Sequence, residues 1–305
     1  MVRQVWAAMR PAGAAQWLLW CCGTLLLASA GFHGVVALVD GGPWVGPVTW
    51  RKPVVFAVSF GAFCWSAVWV LRHLPKRVWR GALAGLLGLS SVLEVGVITT
   101  QRWRGVPSHF NAATEFDDNM FSVMGMTVVL IVLGMVLLAV WTAVDFRGPG
   151  HARIAALVGL GGLLVAGYIG SDLIAEGDAV VAATGHVPYD LTFGADGAAK
   201  FAHAAGIHGI QVLGVLAILL DGSAVAARKR TGVVAVAAIG YTAAFTSITL
   251  TAYAGRAWTD PVLPLAVLGV AGVALIGYAY LRALPRAEPG ERAGRGPVRS
   301  GEVVG

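Results

Sequence analysis

The residues best suited to chemistry in this chain fall into three short groups. Glu94 stands between Ser90 and Gln101, and at about 100° per helical residue the three share a narrow arc of one helix face. A hydroxyl, a carboxyl and an amide then form one polar stripe. The stretch "RWRGVPSHFNAATEFDDNM", residues 102 to 120, adds Arg104, Ser108, His109, Asn111 and Asp117 within a single connection. Farther on, "KFAHAAGIHGIQ" sets Lys200, His203, His208 and Gln211 on one side of a helix. Neutral imidazoles completed by a carboxylate are ligands for a transition metal, and histidine also holds haem. The same groups serve as general acids and bases. His203 and His208 are five residues apart, which does not aim both at one ion from a regular helix, and no HExxH motif occurs.

These groups must be positioned by elements that are almost wholly apolar. Of 305 residues, 57% are hydrophobic and 12% charged, with a mean hydropathy of +0.74, against about 25% charged in soluble domains. The fold class is therefore all-α, a polytopic transmembrane helical bundle, because about 20 apolar residues cross the hydrocarbon core. Eight spans are expected, over residues 15 to 39, 53 to 72, 81 to 101, 120 to 144, 153 to 172, 199 to 220, 232 to 255 and 261 to 282. Residues 1 to 285 form one helical membrane domain, and the Gly, Pro, Arg and Glu-rich residues 286 to 305 are expected to be a disordered cytoplasmic tail. The start resembles a signal peptide ending at "ASA", residues 28 to 30, but the apolar run continues to Val39. An uncleaved first span is expected; cleavage would leave seven.

The net charge of +6 lies mostly in short loops, where Lys and Arg act as topology anchors, and no nucleic-acid partner is expected. With the N-terminus inside, sixteen of the 22 Lys and Arg residues are cytoplasmic. That balance predicts a multi-pass membrane protein with both termini cytoplasmic. Cys21, Cys22 and Cys64 sit in apolar runs and offer neither a disulfide framework nor a CxxC motif.

Topology brings three loops to the outer face: 40 to 53, the stretch after Gln101, and the long segment 173 to 198. At about 1.5 Å per residue, His33 lies roughly 9 Å below the outer end of its span, Glu94 roughly 10 Å, and His203 and His208 roughly 6 to 14 Å. An ionisable group at such depth costs about 2.5 to 3.5 kcal/mol and normally faces a partner or cavity. The expected site has Glu94, His203 and His208 as its floor, with a contribution from His33, and His109 with Arg104 as its lid. Simpler roles exist for single residues. His33 can bond a neighbouring carbonyl, Asp117, Asp118 or Asn119 can cap the fourth span, and Trp44, Trp50 and Trp103 fit an interfacial belt.

Three blocks, "TWRKPVVFAVSF", "EVGVITTQRWRGVPSHFNAATEFDDNMFSVMG" and "AAKFAHAAGIHGIQVLG", resemble those of a bacterial family of uncharacterised multi-pass membrane proteins. That family's patterns are W-x-K-P-x-K-F-x-x-S, E-x6-Q-x2-R-G-x2-S-H-F-N and G-G-D-L-R-x-x-H-F-x-G-x-H-x-x-Q. The resemblance marks Trp50, Lys52, Pro53, Glu94, Gln101, Arg104, Gly105, Ser108, His109, Phe110, Asn111, His203, Gly206, His208 and Gln211. It departs where Ala198, Ala199 and Lys200 replace D-L-R, with an acid displaced to Asp196. It implies a membrane fold and a set of positions, and no reaction.

The leading expectation is a polar His/Glu site in the outer half of the bilayer, catalytic through Glu94, His109 and Arg104 or metal-binding through His203, His208, Glu94 and His109. Lys52, Gln101, Ser108, Asn111, Lys200, Gln211 and His33 are further candidates, and a transition metal or haem is the cofactor considered. Three alternatives stand beside it: a proton-coupled small-molecule transporter, a membrane enzyme acting on a lipid or isoprenoid, and a non-catalytic sensor or assembly factor. Apart from the lipid bilayer, the partner considered is a small-molecule or lipid ligand.

Overall fold

Inside lipid a backbone must close its hydrogen bonds within each segment, so helices are the natural answer to these apolar runs. The computed structural model describes residues 1–284 and is helical throughout, with no named strand among the described residues. The expected tail, 286 to 305, lies outside them. A short α1 (Val2–Ala8) precedes eight segments long and apolar enough to cross a membrane. These are α2 (Ala14–Asp40), α3 (Arg51–Arg72), α4 (Arg80–Trp103), α5 (Glu115–Asp145), α6 (Gly150–Thr184), the pair α7 (Ala199–Ile207) and α8 (Gly209–Asp221), α9 (Ala227–Tyr253) and α10 (Leu263–Ala283). The chain is thus a multi-pass helical bundle, as its hydropathy requires.

Helix α2 packs on α3 and α4, α4 on α5, and α6 touches α5, α7, α8 and α9. Helix α10 is held mainly by α9. Lipid gives apolar helices little reason to associate, so small residues bring the backbones close. A Cβ at Gly240 would lie 2.6 Å from the Gly272 carbonyl, and one at Gly272 would lie 2.5 Å from that of Gly240. Gly240→Leu therefore meets backbone that cannot yield. It is expected to lower stability in detergent by about 3 kcal/mol, the upper end for overpacking. Gly277→Leu, which meets nothing within 4 Å, should leave the unfolding midpoint unchanged.

Two helices differ from expectation. The fifth span, expected to end at residue 172, continues as α6 to Thr184 and reaches 35 residues, about 52 Å of helix against a hydrocarbon core of about 30 Å. Glu176 and Asp178 lower the hydropathy there but do not break a helix. It stops where Gly185 adopts φ +72°. The sixth span is interrupted at His208 between α7 and α8. The carbonyls of Ala205 and Gly206, among the last of α7, accept instead from the Tyr241 hydroxyl of α9, each at 3.2 Å. Gly209 permits this, since a Cβ there would lie 2.3 Å from that hydroxyl. A break inside an apolar segment is tolerated when a neighbouring helix satisfies the freed groups.

One end of the bundle gathers residues 41–50, 104–114, 185–198 and 254–262. We call it the capped end. Arg102 of α4 pairs there with Asp40 of α2 at 3.0 Å, and the Asp196 amide donates to the Gly255 carbonyl at 3.1 Å. The opposite end is tied by the Arg77–Asp145 and His151–Asp221 contacts, at 3.1 and 2.9 Å.

Candidate functional site

The cap begins where α4 ends. Gly105, at φ +74°, turns the chain back across the bundle. The N-cap of α5 is Thr114, not Asp117, Asp118 or Asn119 as expected. Its hydroxyl accepts from the Asp117 amide at 3.2 Å and donates to Asp117 Oδ2 at 2.7 Å. This is a side-chain N-cap one turn upstream of the residues whose charge suggested a cap. Glu115, Asp117 and Asp118 remain in the first turn, where the helix dipole favours them. Asp117 Oδ1 also accepts from Gln101 Nε2 at 2.9 Å and from Arg104. Arg104 in turn donates to Gln101 Oε1 at 2.5 Å and lies 4.6 Å over the Phe116 ring. The expected catalytic Arg104 is thus spent fastening α4 to α5, and Gln101 with it.

The motif S-H-F-N folds the rest of the cap inward. Asn111 donates to the Pro107 carbonyl at 3.1 Å and accepts from the Ala113 amide at 3.2 Å, which closes the turn. Phe110 sits at φ +59°, a left-handed conformation unusual for a bulky residue. Its ring fills a notch in α6 at Gly177, where a Cβ would come within 2.2 Å of Phe110 Cζ. The His109 ring lies among Phe56, Phe110 and Phe121, with centroids 6.0 to 6.1 Å away. Its Nδ1 is 2.9 Å from Ser108 Oγ. Burial, with the Lys52 charge nearby, pushes His109 down to about 3, so it is neutral at physiological pH.

His109 points into the bundle, but the expected floor is not assembled beneath it. Glu94, 1% exposed, accepts from Thr127 of α5 at 2.5 Å. His203 Nδ1 donates to the Ala166 carbonyl of α6 at 2.6 Å. His208 Nε2 lies 3.4 Å from Ser59 Oγ of α3, and the Gln211 amide meets Ser66 Oγ of the same helix at 3.1 Å. Among the described residues, no three of His, Cys, Asp and Glu are placed to hold a metal ion. The expected set His203, His208, Glu94 and His109 fails for one reason: equal depth does not fix the direction each helix turns its polar face. Helix α4 turns its stripe to α5, α7 turns to α6, and the break carries His208 toward α3.

His33 is likewise not part of a floor. Trp103 Nε1 donates to its Nε2 at 3.1 Å, and its Nδ1 donates to the Ser29 carbonyl at 2.8 Å, so both ring nitrogens are used. Trp50, expected in an interfacial belt, is 4% exposed and donates to Asp40 at 2.7 Å while Arg102 lies 4.0 Å over its ring. Trp44 and Trp103 are exposed as a belt requires. Lys200 pairs with Asp190 and not with Asp196.

A narrow crevice, too tight in this structure to admit a water, lies under the cap, lined by Val48, Thr49, Lys52, Ile98, Arg102 and Ser108. Among the described residues the buried Thr49 hydroxyl has no partner, nor do the Nε atoms of Arg51 and Arg102. Sequence reasoning overlooked Thr49, Thr127, Asp40, Gly177 and Tyr241. The first two look like ordinary small polar residues, Tyr241 counts only as a weakly polar group of the seventh span, Gly177 has no side chain to notice, and Asp40 ends an apolar run without any spacing motif. No family model, curated protein or solved structure matches the chain.

Proposed function

We propose that this membrane protein takes a small polar ligand at the capped end when residues 104–114 part from the crevice below, with that end facing outward from a bacterial cell membrane. The excess of Lys and Arg in the opposite loops supports that orientation. One observation carries the reading. In a cap otherwise dense with hydrogen bonds, the Thr49 hydroxyl and the Arg102 Nε line one crevice beside Lys52, and both are buried without a hydrogen-bond partner among the described residues. Buried polar groups are normally satisfied, so such a pair marks where another molecule completes the set. Ser108 lines the same crevice and bonds the neutral imidazole of His109, which gives acid–base chemistry on the ligand a location. The positions marked by the three-block resemblance include Lys52, Ser108 and His109. A four-residue metal or haem centre is not favoured, because Glu94 and the imidazoles of span six turn to separate neighbours.

Complementation of a deletion strain tests the reading. Thr49→Val and Lys52→Gln, inserted at normal levels, should abolish function, whereas His203→Ala should retain most of it. The reverse pattern would move the site down among the spans.

The break at His208 favours a second reading, a transporter, because discontinuous helices commonly line transported-substrate sites. In that case a cysteine at position 211 would change its labelling from the end opposite the cap when substrate is added. Constant labelling would leave the one-sided site.

A further inference from the structure

We infer that Glu94 is a proton-binding site inside the bundle, and that the proton it takes closes α4 onto α5. The site is separate from the crevice, which Glu94 does not line. Glu94 lies in the interior of a span and is 1% exposed. Among the described residues it forms no ion pair, and its one hydrogen-bond partner is Thr127 of α5, on Oε2. A carboxylate held there by a single hydroxyl is costly, because acids at such depth normally face a cation or a wet cavity.

Counting hydrogens locates the proton. Thr127 Oγ1 lies 2.5 Å from Glu94 Oε2 and 2.9 Å from the Met124 carbonyl, yet a hydroxyl carries one hydrogen. With Glu94 ionised both neighbours are acceptors, and the hydrogen serves one at the expense of the other. With a proton on Oε2, the carboxyl donates to Thr127 and Thr127 donates to Met124, so each hydrogen meets an acceptor. A metal ion is a poorer occupant, since among the described residues no three of His, Cys, Asp and Glu are placed to hold one. Helix α4 packs on α2, α3 and α5, and their titratable groups are engaged or distant. His33 is bonded to Trp103 and Ser29, Asp117 to Gln101 and Arg104, and Lys52 lines the crevice. Cys22 lies against Gly88, between one and two turns from Glu94, while Cys21 is exposed and Cys64 is buried in the core. The other charges of these helices stand at their ends. Exchange of the proton requires α4 and α5 to part, and residues 104–114 join those two helices. Here the inference rests on the reading that this segment covers a ligand site: the proton on Glu94 then sets whether the cover stays down.

Infrared spectroscopy of the full chain in lipid, with glutamate labelled at its carboxyl carbon, reads the proton directly. The difference between wild type and Glu94→Gln at pH 6 should hold a carboxylic-acid C=O band that disappears as pH is raised. Carboxylate bands in its place, or a C=O band that persists at every pH the fold survives, would overturn the site. Thr127→Val, nearly isosteric, should move the band to higher frequency by removing its hydrogen bond. An unmoved band would likewise overturn it, and this readout stands even if Glu94→Gln does not insert. Hydrogen exchange of residues 104–114 tests the coupling, because glutamine is a neutral isostere that donates to Thr127 at any pH. Exchange in wild type relative to Glu94→Gln should rise by about tenfold per pH unit once the band is lost, the slope of a one-proton linkage. His109 and every other titrating group are common to both chains and cancel. A ratio that stays constant across the pH at which the band is lost would overturn the coupling. Full complementation by Thr49→Val, by contrast, would remove the ligand site and leave the proton site standing.

Discussion

Gly177→Leu is expected to lift the cap off the bundle. A single Cβ there would lie 2.2 Å from Phe110 Cζ, so leucine and the Phe110 ring cannot share the notch. The ring must leave, and it takes with it a loop already held at φ +59° against local preference. Overpacking of this kind costs about 1 to 3 kcal/mol, and the loss falls on the cap because the spans below pack independently of Phe110. Hydrogen exchange of residues 104–114 should accelerate by about 30- to 150-fold, the equivalent of about 2 to 3 kcal/mol of local stability. The double variant Phe110→Ala with Gly177→Leu is the decisive comparison. Leucine then fills the vacated notch, and exchange should be slower than in Gly177→Leu alone. Additive effects would mean that ring and notch do not interact, contrary to the contact that anchors the cap.

This anchor illustrates what the sequence could and could not reveal. Hydropathy identified all eight spans, because a 20-residue apolar run has few alternatives in lipid. It misjudged α6, since Glu176 and Asp178 end an apolar average but not a helix. Helical periodicity put Ser90, Glu94 and Gln101 on one face, and all three are buried. A helical wheel is drawn in the frame of one helix, however. It cannot say that the face meets α5, where Thr127 and Asp117 receive Glu94 and Gln101. The same limit explains why His33, Glu94, His203 and His208 looked like one floor and became four separate contacts. The break at His208 was hidden for another reason. The local run is as apolar as any helix, and the group that stabilises the break, the Tyr241 hydroxyl, arrives from another helix. Even so, the stretch that held the most polar residues borders the open polar groups, because its Arg102 and Ser108 line the crevice with Thr49 and Lys52.

Acidification should loosen the cap through His109 before it affects the carboxylates. In the folded chain His109 titrates at about 3, held down by burial and by Lys52, whereas an unfolded histidine titrates near 6.5. Between those values the unfolded chain binds a proton that the folded chain refuses, so stability rises with pH across the window. The contribution is complete above about 6.5 and is lost as pH falls toward 3. By this linkage the loss reaches about 2 kcal/mol at pH 5. His73 at the opposite end is lowered by burial as well and acts in the same direction, so the informative quantity is a difference between variants. His109→Gln keeps a side chain able to bond Ser108 but cannot take up the proton. Its unfolding midpoint should therefore fall less than that of wild type between pH 7 and pH 5, and on the acid side the two curves should run parallel only below about pH 3, where His109 is protonated in both states and only carboxylates titrate. If the curves coincide from pH 7 downward, His109 is solvated and faces outward. The Phe56, Phe110 and Phe121 box would then be empty of its imidazole, and the Ser108 hydroxyl would have lost the neutral acceptor on which acid–base chemistry under the cap depends.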